Sequence, residues 1–214
     1  MSDAVETVEL DNGKRAIIAY DECPESPRSW DNLGFIVCKK SSRMRLGDAQ
    51  VTYDYTSDED YFAFVGTFVA ESPDYRGELL YAYSDYTFGD LSRKALEAMI
   101  DREIISLPVY KYEHGRIILN TYGFSCPWDS GQIGWIFTTK EKARKWFNVK
   151  RLTKKVLQKV LDTLRKEVEQ YSQYVDGEVY CVQIQDAQGE VIDTCGSLYS
   201  IEEAREFIKE YALL

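Results

Sequence analysis

Apolar and polar residues alternate in short runs along most of the chain, with turn residues between the runs. Two runs, at 5–10 and 15–20, are separated by Asp11-Asn12-Gly13, and an Asn-Gly pair between such runs is a strong hairpin signal. Similar patterns predict further strands, and Pro and Gly bracket a predicted loop at 124–131. The further strands are expected at 34–39, 104–112, 116–120, 133–138, 178–185 and 191–198.

Helical spacing becomes dominant after residue 139. The clearest helix is predicted at 153–175, where apolar residues recur every three or four positions, and Gly177 suits the left-handed position after its end. This stripe is typical of packing on a sheet within the domain, with dimerisation as the alternative. Further helices are predicted near 91–102, at 140–148 after the cap Thr139, and from a Ser200/Glu203 capping box to about residue 213.

Hairpin turns followed by clustered helices predict an α+β fold. We expect one mainly antiparallel sheet of about five to seven strands, with the long amphipathic helix packed on one face and short capping helices. The 214 residues are expected to form a single domain, 1–214. A segment at about 49–90 holds seven of the sixteen tyrosines, interleaved with acidic residues, and is predicted to be irregular and variable.

The composition bounds the class of protein. Apolar residues make up 44% of the chain, which excludes wholesale disorder. No apolar run approaches the length of a membrane span. The first residues have neither a basic segment nor an apolar stretch of the kind that directs secretion, so the cytoplasm is the expected location.

The charge is unevenly distributed. The chain has 36 acidic and 26 basic residues and a net charge of −10; residues 1–90 carry −10, 91–138 carry 0, 139–166 carry +9 and 167–214 carry −9. A negative chain disfavours non-specific binding to nucleic acid or anionic membranes. We expect a continuous acidic face, and a separate basic face from the stretch 140–166 that includes Lys154, Lys155 and Lys159. The plainer alternative is that acidic neighbours neutralise the basic stretch.

Candidate catalytic chemistry is sparse. The five cysteines include no Cys-x-x-Cys pair and His114 is the single histidine, which argues against zinc; neither a metal nor a cofactor is expected. A nucleophilic site would combine His114 with Cys126 and Asp129. The alternative is a buried cysteine and a histidine in a turn.

Acidic and aromatic clusters point to recognition rather than catalysis. Asp58, Glu59 and Asp60 form the densest acidic run, with a solvated acidic surface as the plainer interpretation. Trp30 and Trp128 lie in loop contexts, and tryptophans dominate the anchors of protein interfaces. We expect Trp128 to anchor the loop 124–131 near His114, with Asp129 buried and hydrogen-bonded.

Three blocks, at 29–34, 107–114 and 121–135, together carry a resemblance to a known family. The first contains Trp-Asp-Asn-Leu-Gly and the third contains Gly-Phe-Ser-Cys-Pro-Trp-Asp-Ser-Gly-Gln-Ile-Gly-Trp, which is the specific one. They resemble a family of proteins of no established activity that bacteriophages and other mobile elements encode. The resemblance runs from about residue 20 to 200 outside 49–90, and implies a small protein acting in the cytoplasm of an infected or lysogenic cell.

This context and the acidity together suggest a function. We expect a non-enzymatic protein, monomeric or homodimeric, that binds a host protein, as acidic inhibitors of restriction or CRISPR nucleases do. One alternative is a nucleic-acid-binding accessory protein that uses the basic stretch 140–166. The other is a hydrolase built on the cysteine and the histidine.

Overall fold

The computed structural model describes residues 4–41, 44–51 and 102–213. Most of the segment 49–90, with Asp58, Glu59 and Asp60, and nearly all of the predicted helix 91–102 lie outside the described residues. None of the described helices is long and apolar enough to cross a membrane. The elements are β1 (Ala4–Glu9), β2 (Arg15–Tyr20), β3 (Phe35–Lys39), β4 (Ala49–Val51), β5 (Ile104–Glu113), β6 (Ile117–Asn120), β7 (Ser130–Thr139), β8 (Tyr180–Gln185), β9 (Val191–Leu198), α1 (Lys140–Trp146), α2 (Lys154–Asp176) and α3 (Ile201–Ala212).

The predicted α+β class is confirmed, but the strands form two sheets where one was expected. Their orders are β1-β2-β8-β9 and β4-β3-β7-β5-β6. The pairs β1–β2, β2–β8, β8–β9, β3–β7 and β5–β7 are antiparallel, whereas β3 and β4 are parallel. The second sheet arises because β2 pairs with β8 instead of with the next strand along the chain. Local alternation predicts strands and does not specify such distant partners.

The chain divides into two compact units. The first unit comprises Met1–Trp30, Gly115–Ile118 and Glu169–Leu214, and the second unit comprises Asp31–His114 and Leu119–Val168. The four-stranded sheet and α3 belong to the first unit; β3, β4, β5, β7 and α1 belong to the second. The prediction that 1–214 folds as a single domain stays a prediction.

The first unit is built on the predicted hairpin. Asn12 and Gly13 both adopt the left-handed conformation, with φ of 61° and 74°, which an Asn-Gly turn provides at little steric cost. One face of the sheet packs on α3 through a buried apolar core. Its residues are Ala16, Ile18, Val182, Ile184, Ala204 and Ile208.

The capping box before α3 is present, with one difference from the expected pattern. The Ser200 hydroxyl accepts a hydrogen bond from the Glu203 N–H at 3.1 Å, as predicted. The Glu203 carboxylate, however, accepts from the N–H of Tyr199 at 2.7 Å. The helix start is thus fixed at Tyr199, one residue before the N-cap position that a standard capping box uses.

The second unit has a tight contact between β3 and β7 at Gly134. A Cβ atom at this position would lie 2.0 Å from the carbonyl oxygen of Val37, which is backbone and unable to move aside cheaply. Gly131, at the start of the same strand, has nothing within 4 Å of its would-be Cβ. Packing therefore requires glycine at position 134, whereas it does not require glycine at position 131.

The predicted helices α1 and α2 both begin within the second unit, close to the expected residues. The Thr139 hydroxyl caps α1 by accepting from the Lys142 N–H at 3.0 Å. In α2, Val160, Leu164 and Val168 are fully buried at the predicted apolar spacing. The α2 helix ends as predicted at Gly177, whose φ is 78°.

A buried carboxylate joins α2 to the chain segment that leads into β3. Glu167 is 9% exposed, and its two carboxylate oxygens accept from the N–H groups of Leu33 and Gly34 at 2.7 and 3.0 Å. The Lys142 ammonium group donates to the carbonyl of Asn32 at 2.6 Å. The Trp-Asp-Asn-Leu-Gly block therefore makes structural contacts with both α1 and α2.

We predict that Gly134→Ala destabilises the protein by about 3 kcal/mol, because the new methyl group forces β3 and β7 apart. Gly131→Ala is the matched control and should stay within about 0.5 kcal/mol of the wild type. Urea unfolding measures both. Equal unfolding midpoints for the two variants would contradict the packing role of Gly134.

We predict that Glu167→Ala lowers the free energy of unfolding by about 2–3 kcal/mol, because two buried N–H groups lose their acceptor. Glu167→Gln keeps one acceptor oxygen and should lose less. Glu169→Ala, an exposed acid two residues further along α2, is the control. Thermal unfolding of the three variants checks the order; a Glu167→Ala variant as stable as the control contradicts it.

Candidate functional site

The segment 121–129 between β6 and β7 forms a loop, called here the aromatic loop, which is fixed at its start by Asn120. This side chain is 4% exposed. Its amide oxygen accepts from the N–H groups of Tyr122 and Gly123 at 3.1 and 2.7 Å, and its NH₂ donates to the Gly123 carbonyl at 3.0 Å. All three bonds are local, so this turn is held by one buried side chain.

The far end of the aromatic loop is fixed by two further hydrogen bonds. The Glu113 N–H donates to the carbonyl of Asp129 at 2.8 Å. The Ser130 hydroxyl donates to the carbonyl of Cys126. Backbone and short polar side chains thus hold the loop against the strands on either side of it.

The exposed aromatic side chains of this loop are not the ones that anchor it. Phe124 packs against Tyr112, with ring centroids 5.6 Å apart. Trp128, by contrast, is 92% exposed and Tyr122 is 78% exposed. The prediction that Trp128 anchors the loop is wrong, because Phe124 and the polar contacts already do so. An almost fully exposed indole on a fixed loop is instead suited to contact with another molecule.

The structure brings His114, Cys126 and Asp129 close together, but their spatial arrangement differs from that of the Cys–His hydrolase hypothesis. Asp129 lies between the other two: its carboxylate accepts from the Cys126 thiol at 3.5 Å and lies 3.3 Å from Nδ1 of His114. A Cys–His hydrolase needs the imidazole beside the thiol. Here the imidazole contacts the carboxylate, and the His114 side chain is 73% exposed. The expected hydrogen-bonding of Asp129 near His114 is confirmed, although its side chain is 35% exposed rather than buried.

Three of the other cysteines offer no activated nucleophile. All five are free thiols. Burial raises the pKa of Cys38 to about 12, and it also raises the pKa values of Cys181 and Cys195. These three thiols are therefore protonated at neutral pH. Within the described residues, no group of three or more His, Cys, Asp or Glu side chains is arranged to hold a metal ion.

Trp30 has a structural contact as well as an exposed surface. It is 42% exposed, and its ring meets the ring of Tyr199 edge-on with centroids 5.3 Å apart. Tyr199 is itself buried, its hydroxyl donates to the carbonyl of Glu25, and burial raises its pKa to about 12. Part of the Trp30 indole therefore packs within the first unit, which makes it a weaker binding candidate than Trp128.

Charge is strongly partitioned between the two units. Among the described residues, the first unit has sixteen acidic and six basic residues, a net charge of −10. The second has eight acidic and sixteen basic residues, a net charge of +8. The remaining twelve acidic and four basic residues lie outside the described ranges. Folding thus gathers the acidic segments 1–30 and 169–214 into one unit.

Exposed acids of α3 and of β9 were missed as site candidates. Glu206 and Glu210 lie one turn apart on the solvent side of α3 and make no ion pair with a described residue. Glu190, just before β9, and Asp193, within it, are exposed, and α3 packs on this strand. The spacing of the two α3 glutamates, opposite the buried Ala204 and Ile208, was a usable signal in the sequence. A continuous face that also includes Asp58, Glu59 and Asp60 stays a prediction.

The predicted basic residues are exposed. Lys154, Lys155 and Lys159 lie in the first turns of α2. Each is free of ion pairs with the described part of the chain. Local neutralisation by acidic neighbours, the plainer interpretation of this stretch, is not observed for these three side chains.

Comparison of the chain with protein-family models, with curated proteins and with solved structures gave no match. Hypotheses about its function therefore depend on the residues and on their geometry.

We predict that Asn120→Ala loosens the aromatic loop and lowers the free energy of unfolding by about 2 kcal/mol, because two N–H groups lose a buried acceptor. Asn120→Asp keeps the acceptor and should retain the protection of those amides. Hydrogen exchange at the Tyr122 and Gly123 amides is the measurement. Unchanged exchange in Asn120→Ala would contradict the anchoring role of this side chain.

Proposed function

We propose that this chain is a non-enzymatic protein of a bacteriophage or mobile element that binds a host protein in the bacterial cytoplasm. In this proposal its first unit supplies an acidic surface that binds a basic partner. Acidic inhibitors of restriction or CRISPR nucleases act in this way, by occupying the DNA-binding surface of the nuclease. The resemblance of the block at 121–135 to phage-encoded proteins supports the context. The observation that carries the proposal is the concentration of sixteen acidic residues in the first unit, against six basic ones.

The acidic surface favours fast, selective encounter with a cationic partner. Like charges gathered in one unit repel each other and lower its stability. The same field accelerates association with a basic surface and repels nucleic acid, with which the chain would compete. Glu206 and Glu210 contribute to it without compensation from described cations.

Trp128, which lies in the second unit, is a separate candidate for short-range contact with the partner. Charge steers the encounter, whereas the lifetime of a complex depends mainly on buried anchors such as tryptophan. The aromatic loop is held by three side-chain bonds from Asn120 and by the Glu113–Asp129 backbone bond. A fixed loop loses little conformational entropy on binding, which favours affinity.

The test is capture of partners from a bacterial lysate on the immobilised full chain, followed by rate measurements with the captured protein. We expect one stoichiometric basic protein that salt releases. Glu206→Lys/Glu210→Lys should slow association by roughly tenfold at low salt, with a smaller effect on dissociation. Trp128→Ala should mainly speed dissociation.

The matched control is Asp31→Lys/Asp162→Lys, which changes the net charge equally but lies in the second unit. It should leave both rates close to those of the wild type. Equal slowing by both charge-reversal variants would show that only net charge matters. Capture of an acidic partner, or none, would contradict the proposal.

A further inference from the structure

Six exposed cations lie in α2 and in the residues just before it. Their side chains make no hydrogen bond or ion pair with any described residue, in contrast to Arg165, which bonds to Asp162 at 2.8 Å. Unpaired cations at this density repel one another and attract a polyanion. The six, called here the basic patch, are Lys150, Arg151, Lys154, Lys155, Lys159 and Lys166.

An exposed aromatic side chain lies a few positions before the basic patch along the chain. Trp146, the last residue of α1, is 40% exposed. Lys150 and Arg151 follow it by four and five positions. Their Cα atoms therefore lie within about 18 Å of the Cα atom of Trp146. Lys155 and Lys159 lie one helical turn apart, so that their side chains project from the same side of α2.

The turn after Trp146 holds this arrangement. The Asn148 N–H donates to the Lys145 carbonyl at 3.1 Å, and the Val149 N–H donates to the Arg144 carbonyl at 3.0 Å. Asn148 has the left-handed φ of 49° that this helix ending requires. These bonds fix the backbone between Trp146 and Val149, one residue before the first cation of the patch.

We infer that the basic patch and Trp146 bind single-stranded nucleic acid. The cations contact successive phosphates, and the indole stacks on a base, which is the combination that proteins use for single strands without sequence preference. This site belongs to the second unit and has the opposite charge to the proposed protein-binding surface. It therefore does not depend on the proposed function.

Trp146 decides between the possible polyanions. In a duplex the base faces are stacked on one another, so an indole at the surface has no base to stack on. An acidic protein segment, or the acidic first unit of a second copy of this chain, satisfies the cations but gives no stacking partner to the indole. The exposed aromatic side chain beside the patch favours a single strand over each of these.

The experiment is fluorescence anisotropy of a labelled oligothymidylate of about 20 nucleotides with the full chain, at salt concentrations from about 50 to 200 mM. We expect Trp146→Ala to weaken binding roughly tenfold and Trp146→Phe to restore most of it. Trp128→Ala, the exposed tryptophan outside the patch, should leave the affinity unchanged. Lys155→Gln/Lys159→Gln should weaken binding and reduce the salt slope by about 1.4.

The matched charge control is Lys40→Gln/Lys209→Gln, which removes two exposed lysines outside the patch. It should bind like the wild type. Equal affinity for a duplex or for polyglutamate, or the same affinity in Trp146→Ala and Trp128→Ala, would overturn the inference in favour of a contact by charge alone. Salt-sensitive self-association that blocks the oligonucleotide would overturn it in favour of a second copy as the occupant. Thermal unfolding confirms that each variant is folded.

Discussion

The antiparallel pairing of β2 with β8 is the contact on which the first unit depends. It brings Arg15 opposite Gln185, 170 positions away, and it places Ala16 and Ile18 beside Val182 and Ile184 under α3. Closing so long a loop costs conformational entropy, but that cost grows only with the logarithm of the loop length. Burial of the apolar faces of two hairpins and a helix opposes it.

The same pairing determines where the charge lies. Along the chain, a basic stretch separates two acidic ones, and a chain with local pairing only would keep them apart. Because β2 pairs with β8, both acidic ends belong to one unit, with a net charge of −10 in its described residues. Concentrating like charges lowers stability, so the arrangement is easier to understand as a binding surface than as a means of stabilising the fold.

Local signals predicted much of the secondary structure, and distant contacts account for the errors. The Asn12-Gly13 turn, the Thr139 cap and Gly177 each act through neighbours within a few residues, so their patterns could be recognised. The role of Glu167 could not be recognised in this way, because its hydrogen-bond partners lie 133 and 134 positions away along the chain. Trp128 was expected to anchor the loop 124–131, but it is 92% exposed and other side chains anchor the loop, which no local pattern indicates.

The two proposals meet in the chemistry of a nuclease. A nuclease presents a basic surface, and its substrate is a polyanion that can expose single-stranded bases. In a chain with one acidic and one basic unit, the acidic unit is complementary to the nuclease and the basic unit is complementary to its substrate. An acidic protein without the basic unit competes with the substrate by charge alone, and that competition weakens as salt screens both fields. Trp128 and Trp146, which are both exposed and both lie in the second unit, are proposed to add contacts that salt screens much less. On these two proposals, we expect the affinity that persists at physiological ionic strength to depend on the two indoles, whereas the charges determine which partner each unit accepts.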